Sequence, residues 1–458
     1  MQAAGARKEH VLKTLKKGWV HMNNKWIGIF AAGSLMLTAC GNGGSQTGNP
    51  GASEADVAKV ANMPAEISFY MWSMSQSEFD YIAEQAKKKF PNYTLKAVPS
   101  TGSGGPTIDA LVTADNMPDL FVGRGVATPD LQKSGLLYDI GDLMTKYKFD
   151  ASRLDPLAFE QMKRETGGII AGIPLSGTNG GLLHYNKDLF DKFGVPYPKD
   201  GMTWDDVYEI AKIMTRVEGG IQYRGFSDRW METFFTQNPF GEPILSLTED
   251  KAAVNSDKWR KIGENWKRFY TIPGLKFDST TINKDLDWKE FIKGNSAMTT
   301  FVSRNFMDWN FAWDIVSMPT YKELPGIARL ADFRSVYITS SSKNKDAAFQ
   351  VAAWLASDDM QSKLTADTGL YPVVKNEEIK SKYMMNDPLY KGKNIKAASY
   401  NKVGPGMPGR KPGLTNVKAE NMFMKELQKA VVENKDWNTV LRSAEEVINK
   451  AIQSEKAK

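Results

Sequence analysis

Ile67-Ser68-Phe69-Tyr70-Met71-Trp72 is a run of β-branched and aromatic residues, and the residues after it change period. Ser75 and Glu78 stand at capping-box spacing, and Phe79, Ile82, Ala83, Ala86 and Phe90 fall on one face of a helix. A second strand is predicted at residues 93–98, then the loop Thr101-Gly102-Ser103-Gly104-Gly105-Pro106 and a helix through Leu111. Strand, helix and strand in this order predict a βαβ unit with parallel strands. The glycine run lacks the Gly-Lys-Ser/Thr ending of a phosphate loop, so it reads as a tight strand-to-helix turn beside a ligand cleft.

The alternation continues outward from this unit. Strands are expected at residues 119–122, 169–174 and 181–185. Thr203 opens a helix with Val207, Ile210, Ala211 and Met214 on its buried face. Another follows Asn344 (Ala347, Ala348, Val351, Ala352, Leu355), and the chain closes with one through Val440, Ala444, Val447, Ile448 and Ala451. Residues 404–413, with three prolines, read as a surface loop. Roughly 400 residues of such alternation exceed what one core holds, so an α/β chain of two domains is expected.

The N-terminal part has a different character. Lys25 precedes an apolar stretch at 26–36, and Leu37-Thr38-Ala39-Cys40 closes it with the single cysteine of the 458-residue sequence. This resembles a bacterial lipoprotein box, which implies a signal peptide over 1–39, cleavage before Cys40, lipidation of its thiol and a membrane anchor through acyl chains. The apolar run is shorter than the ~20 residues that span a bilayer. Residues 41–53 are Gly, Asn, Ser, Gln, Thr and Pro, a tether that extends the lipidated segment to 40–62. Met22-Asn23-Asn24-Lys25 makes a complete signal start by itself, so Met22 is an alternative first residue.

Composition excludes several classes. Six of the 59 basic residues and one of the 53 acidic ones precede residue 40, which leaves the remainder close to neutral, unlike a nucleic-acid binder. Two of three histidines, His10 and His21, also precede it. Without further cysteine, zinc sites built from Cys and His are excluded and no cofactor is indicated. Any Ser-His-Asp system would need His184, which sits in the strand-like Leu182-Leu183-His184-Tyr185 and reads as a core or cleft-wall residue.

Five further segments occur in one order: Met117-Pro118-Asp119-Leu120-Phe121; Ser134-Gly135-Leu136-Leu137-Tyr138; Leu183-His184-Tyr185-Asn186-Lys187 with Pro196, Pro198, Thr203 and Trp204; Phe291-Ile292-Lys293-Gly294-Asn295-Ser296-Ala297-Met298; and Ser342-Lys343-Asn344-Lys345-Asp346-Ala347-Ala348. Together they resemble the extracellular solute-binding proteins of sugar ABC importers, of the maltose-binding type. The resemblance implies a two-lobed periplasmic-binding-protein-like fold, each lobe a mainly parallel sheet flanked by helices, with a ligand cleft between the lobes. By motif order the first lobe takes residues 63–177 and 337–372, and the second 178–336 and 373–458.

A sugar offers hydroxyls in its ring plane and an apolar face, so its site needs aromatic plates and planar polar groups. Trp72 ends the first strand, and Arg124 follows the Pro-Asp strand where the family carries polar sugar contacts. Asn179 stands where the resemblance implies a ligand carboxylate. Arg304 occupies the place of a family aromatic, with Trp309 and Trp313 close behind, while Arg334 and Tyr371 lie near the expected crossovers. Trp230 completes the candidates. For each aromatic core packing is the competing reading, and for each arginine an ordinary salt bridge. Two arginines facing the ligand would bring acidic oligosaccharides into range.

The implied function is a monomeric, lipid-anchored receptor on the extracellular face of the membrane that delivers an oligosaccharide to ABC permease subunits. It binds neither nucleic acid nor metal and is not an enzyme. The alternatives are a secreted polysaccharide-active enzyme using two carboxylates, and a peptide or polyamine receptor on the same fold.

Overall fold

The computed structural model describes residue 60, residues 62–124, 128–228, 231–279, 281–282, 287–300, 309–407, 409–411 and 413–457. The leader, Cys40, nearly all of the tether, Trp230 and Arg304 lie outside the described residues. Among the described residues no helix is long and apolar enough to cross a membrane.

Among the described residues twelve strands are present: β1 (Ala65–Met71), β2 (Tyr93–Pro99), β3 (Leu120–Gly123), β4 (Gly172–Ser176), β5 (Leu182–Asn186), β6 (Arg216–Glu218), β7 (Ile221–Tyr223), β8 (Met298–Thr299), β9 (Trp313–Ser317), β10 (Ile327–Leu330), β11 (Arg334–Ile338) and β12 (Lys402–Gly404). The first sheet has the order β2-β1-β3-β11-β4 and the second β8-β5-β9; β10 pairs with β12, and β6 with β7 as a hairpin.

The opening βαβ unit forms as its sequence requires. β1 runs parallel to both β2 and β3. The helix Gln76–Lys89 between β1 and β2 starts in a complete Ser75–Glu78 capping box and buries Phe79, Ile82 and Ala86, a cap of the kind that contributes about 1 kcal/mol. Phe79 meets Phe69 of β1 edge to face, with ring centroids 5.6 Å apart. Asp119, almost buried before β3, accepts hydrogen bonds from the Ser68 amide and hydroxyl and from Ser342 at 2.7–3.0 Å.

The parallel sense stops there. β11 is antiparallel to β3 and β4, and the second sheet is antiparallel throughout. Strand and helix alternate along the sequence as expected, but alternation fixes strand sense only when a connection returns to the same sheet. The chain reaches β11 from the other core and enters the first sheet from its opposite end.

Two main cores result. One gathers Ile67, Phe69, Ile82, Leu120, Val122, Ile173, Val336 and Val351 around the first sheet. The other gathers Leu183, Trp204, Trp259, Trp266, Phe269, Phe423 and Leu441 around the second, and takes up much of the aromatic surplus. The chain crosses between them at residues 177–181, at 331–333 and after the helices that end near residue 368. The second crossing corrects the expected lobe boundary at 336/337, because Arg334, Ser335 and Val336 already pair in the first sheet. The third moves likewise, since Val373, Val374 and Ile379 pack in the first core. At the first crossing two glycines are obligatory: a Cβ on Gly180 would lie 2.2 Å from the Asn401 carbonyl oxygen, and Gly181 has φ +85° with Met318 sulfur 2.5 Å from such a Cβ.

Candidate functional site

Groups from both bodies converge where the crossing segments pass. Trp72 follows β1, its amide donating to the Tyr70 carbonyl, and keeps 37% of its surface exposed while the other strand-end aromatics are buried. Arg124 follows β3 and donates through Nη1 to Asp332 Oδ2 at 2.5 Å. Asp332 lies in the 331–333 crossing, where its carbonyl accepts from the Thr178 hydroxyl of the 177–181 crossing at 2.5 Å.

Asn179 has a structural task. Its Oδ1 accepts from the Gly181 amide at 3.0 Å, and its amide lies beside the Tyr383 hydroxyl, which burial pushes up to about 12. Tyr383 packs on Tyr371 at 6.0 Å. Tyr371 in turn bridges to Gly177 through its backbone. Arg124, Asn179 and Tyr371 therefore lie along one polar seam with Asp332, Thr178 and Tyr383.

The sequence reading missed Arg329, Asp332, Tyr383 and Glu165. Arg329 lies in β10; its Nε is buried without a partner, as is Nε of Arg124. Burial lowers the Arg329 guanidinium to about 10, with the Asp332 carboxylate working the other way. Glu165 ends the helix Pro156–Glu165 and accepts from Gln161 at 2.6 Å. Burial raises its carboxyl to about 7, and Asp332 adds to the rise. The Arg-Leu-Ala-Asp run 329–332 was a visible signal, two opposite charges in an otherwise apolar stretch, but its neighbours come from distant segments.

Other candidates have different tasks. Arg334 is buried in β11, and its guanidinium donates to Ser176 Oγ at 2.8 Å, to the Ser73 carbonyl at 2.6 Å and to both Glu78 oxygens. That network engages all three guanidinium nitrogens, so Arg334 stands in a buried ion pair with Glu78. Trp313 is 6% exposed in β9, and Trp309 stacks on Phe311 with planes 7° apart. Both pack against His184 at about 6 Å, so these two indoles build a core around a buried histidine.

Two concavities of about 220 and 520 Å³ open on the second body, one around Trp204, Arg268 and Tyr321 and the other around Tyr185, Tyr197 and Asp314; Trp72, Arg124, Asn179 and Arg329 line neither. Among the described residues no group of three His, Cys, Asp or Glu could hold a metal ion.

Two α/β bodies, joined by crossing segments with polar groups and with the exposed Trp72 at the end of β1, define a two-lobed binding protein of the periplasmic type. Residues 81–391 match the family described as bacterial extracellular solute-binding protein, and the chain belongs to that family. It is 28% identical over 220 residues to an uncharacterised ABC transporter extracellular-binding protein of Pyrococcus horikoshii, which covers 45% of this chain and 47% of that one. It is 27% identical over 274 residues to the sn-glycerol-3-phosphate-binding periplasmic protein UgpB of Brucella melitensis, covering 55% and 59%. The chain thus spans about half the length of these relatives. The solved ABC substrate-binding protein of Listeria monocytogenes in complex with cycloalternan superposes with a TM-score of 0.65, at 21% identity, over 85% of this chain and 99% of that one. At that identity the likeness bears on the fold alone.

Proposed function

We propose that this protein is an extracellular receptor, anchored through a lipid on Cys40, that captures an oligosaccharide between its lobes and hands it to an ABC permease. The observation that carries the reading is Trp72, a large aromatic left exposed at the end of a core strand beside the polar seam of Arg124, Asp332 and Asn179. An indole plate next to planar donors and acceptors suits the two faces of a sugar ring. The Listeria protein of like fold is in complex with cycloalternan, so the fold admits a ligand of this class. The lobes run from about 63 to 177 with 331–379, and from 178 to 330 with 380–458; a ligand touching both favours the closed form by its differential affinity.

Native mass spectrometry of protein purified without added ligand tests the capture, with retention of a saccharide mass expected. Small-angle scattering should show a smaller radius of gyration at saturating ligand, and an unchanged radius would overturn the closure. Release of reducing sugar from polysaccharide would instead establish the enzyme alternative, and retention of a peptide or polyamine the third.

A further inference from the structure

Guanidinium groups drawn out of water carry a desolvation cost and are ordinarily paired. Arg329, half-buried, is not. Among the described residues its side chain makes no hydrogen bond or ion pair, and its Nε is buried with no partner. Its acidic neighbours are committed elsewhere. The Asp332 carboxylate accepts from Arg124 at 2.5 Å, and the Asp228 carboxylate accepts from the Thr299 hydroxyl and from the Thr300 amide and hydroxyl. Arg124, 43% exposed at its side chain, also has an unpartnered buried Nε. Two planar, permanently charged forks therefore stand at the seam between the lobes with one carboxylate bound to the first and none bonded to the second.

Such an arrangement is stable only at a cost, and it gains when an external acceptor arrives. Neutral sugar hydroxyls are weak acceptors for a partly desolvated cation, whereas an oxoanion matches the fork and neutralises it. We infer that Arg329, assisted by Arg124, is an anion-recognition point, and that the captured ligand is a polyhydroxyl compound bearing a carboxylate or phosphate. The inference rests on the receptor reading above and narrows its ligand class. Uronate carboxylates and phosphate esters share the required chemistry.

The test uses the whole mature protein, calorimetry with trigalacturonate, glycerol 3-phosphate and maltotriose, and the variants Arg329→Met and Arg329→Lys. One of the two anionic probes should bind, and which of them does names the source of the anion. Arg329→Met should weaken that binding on the order of a hundredfold, the loss expected when charge-assisted hydrogen bonds are removed, with Arg329→Lys in between. The melting temperature of Arg329→Met without ligand should equal or exceed that of the parent, because an unpaired, half-buried cation has been removed. Maltotriose binding that Arg329→Met leaves within about twofold would overturn the anion point while leaving the receptor standing. A lowered melting temperature for ligand-free Arg329→Met would make the residue structural and overturn it also. Failure of all three probes, with no saccharide retained in native mass spectra, would remove both readings.

Discussion

His184 offers a test of how the second sheet is held. It sits at 3% exposure in β5, between Trp309 and Trp313, with both ring nitrogens buried and unpartnered. Burial alone pushes its pKa down from 6.5 to about 3. The unfolded chain then takes up a proton near pH 6.5 while the folded one does not, so stability is complete above that pH and is lost as the pH falls toward 3. At pH 5 the difference of 1.5 pH units corresponds to about 2 kcal/mol of lost stability. Glu165 and Asp287 have raised pKa values, about 7 and about 6, both chiefly from burial, and contribute slopes of the opposite sign. Only a comparison with a variant isolates the histidine. His184→Phe keeps the aromatic contacts and removes the proton site. Urea unfolding of both proteins from pH 7.5 to 5 should show the variant gaining about 2 kcal/mol on the parent over that range. Parallel profiles would refute the reasoning, and so would an imidazole resonance titrating near pH 6.5 in the folded protein. His184 is the only histidine after residue 21, which makes that resonance easy to assign.

Trp72→Ala should lower saccharide affinity about thirtyfold, the loss of a 2 kcal/mol anchor, and leave ligand-free melting nearly unchanged; calorimetry and melting on one variant decide, and a large melting loss with normal affinity would take Trp72 out of the site. Arg334→Met strands the Glu78 carboxylate, which burial would raise but which Arg334 holds below its usual range, so denaturant unfolding should show a loss of roughly 3–5 kcal/mol. Stability equal to the parent would contradict the ion-pair role. Cys40→Ser should abolish incorporation of labelled fatty acid, and persistent label would exclude the anchor.

What the sequence revealed and what it hid follow from the distance over which each requirement acts. Capping boxes at Ser75 and Thr203 are local and were legible. The segments that carried the family resemblance are structural. Asp119 ties β1 to the turn before the late helix, Asn186 caps the helix Lys187–Phe193, and Ala297 and Met298 are fully buried. Packing demands of this kind recur wherever the fold recurs. Binding groups obey no such demand. Sequence could not name the partner of Arg334 because Glu78 is 256 residues away, and Arg329 passed unnoticed because what distinguishes it is a missing partner.

The position of β11 has a consequence for the order of events in synthesis. It is an interior strand, between β3 and β4, yet it is made after all of β5 to β10. A nascent chain that has delivered β1 through β4 holds two fragments of sheet with nothing to join them, and Asp119 still waits for Ser342, 223 residues later. Closure over such separations is slow compared with local helix formation. The first lobe therefore cannot lock while the chain is still emerging, and its five-stranded sheet stays open until β11 has been made.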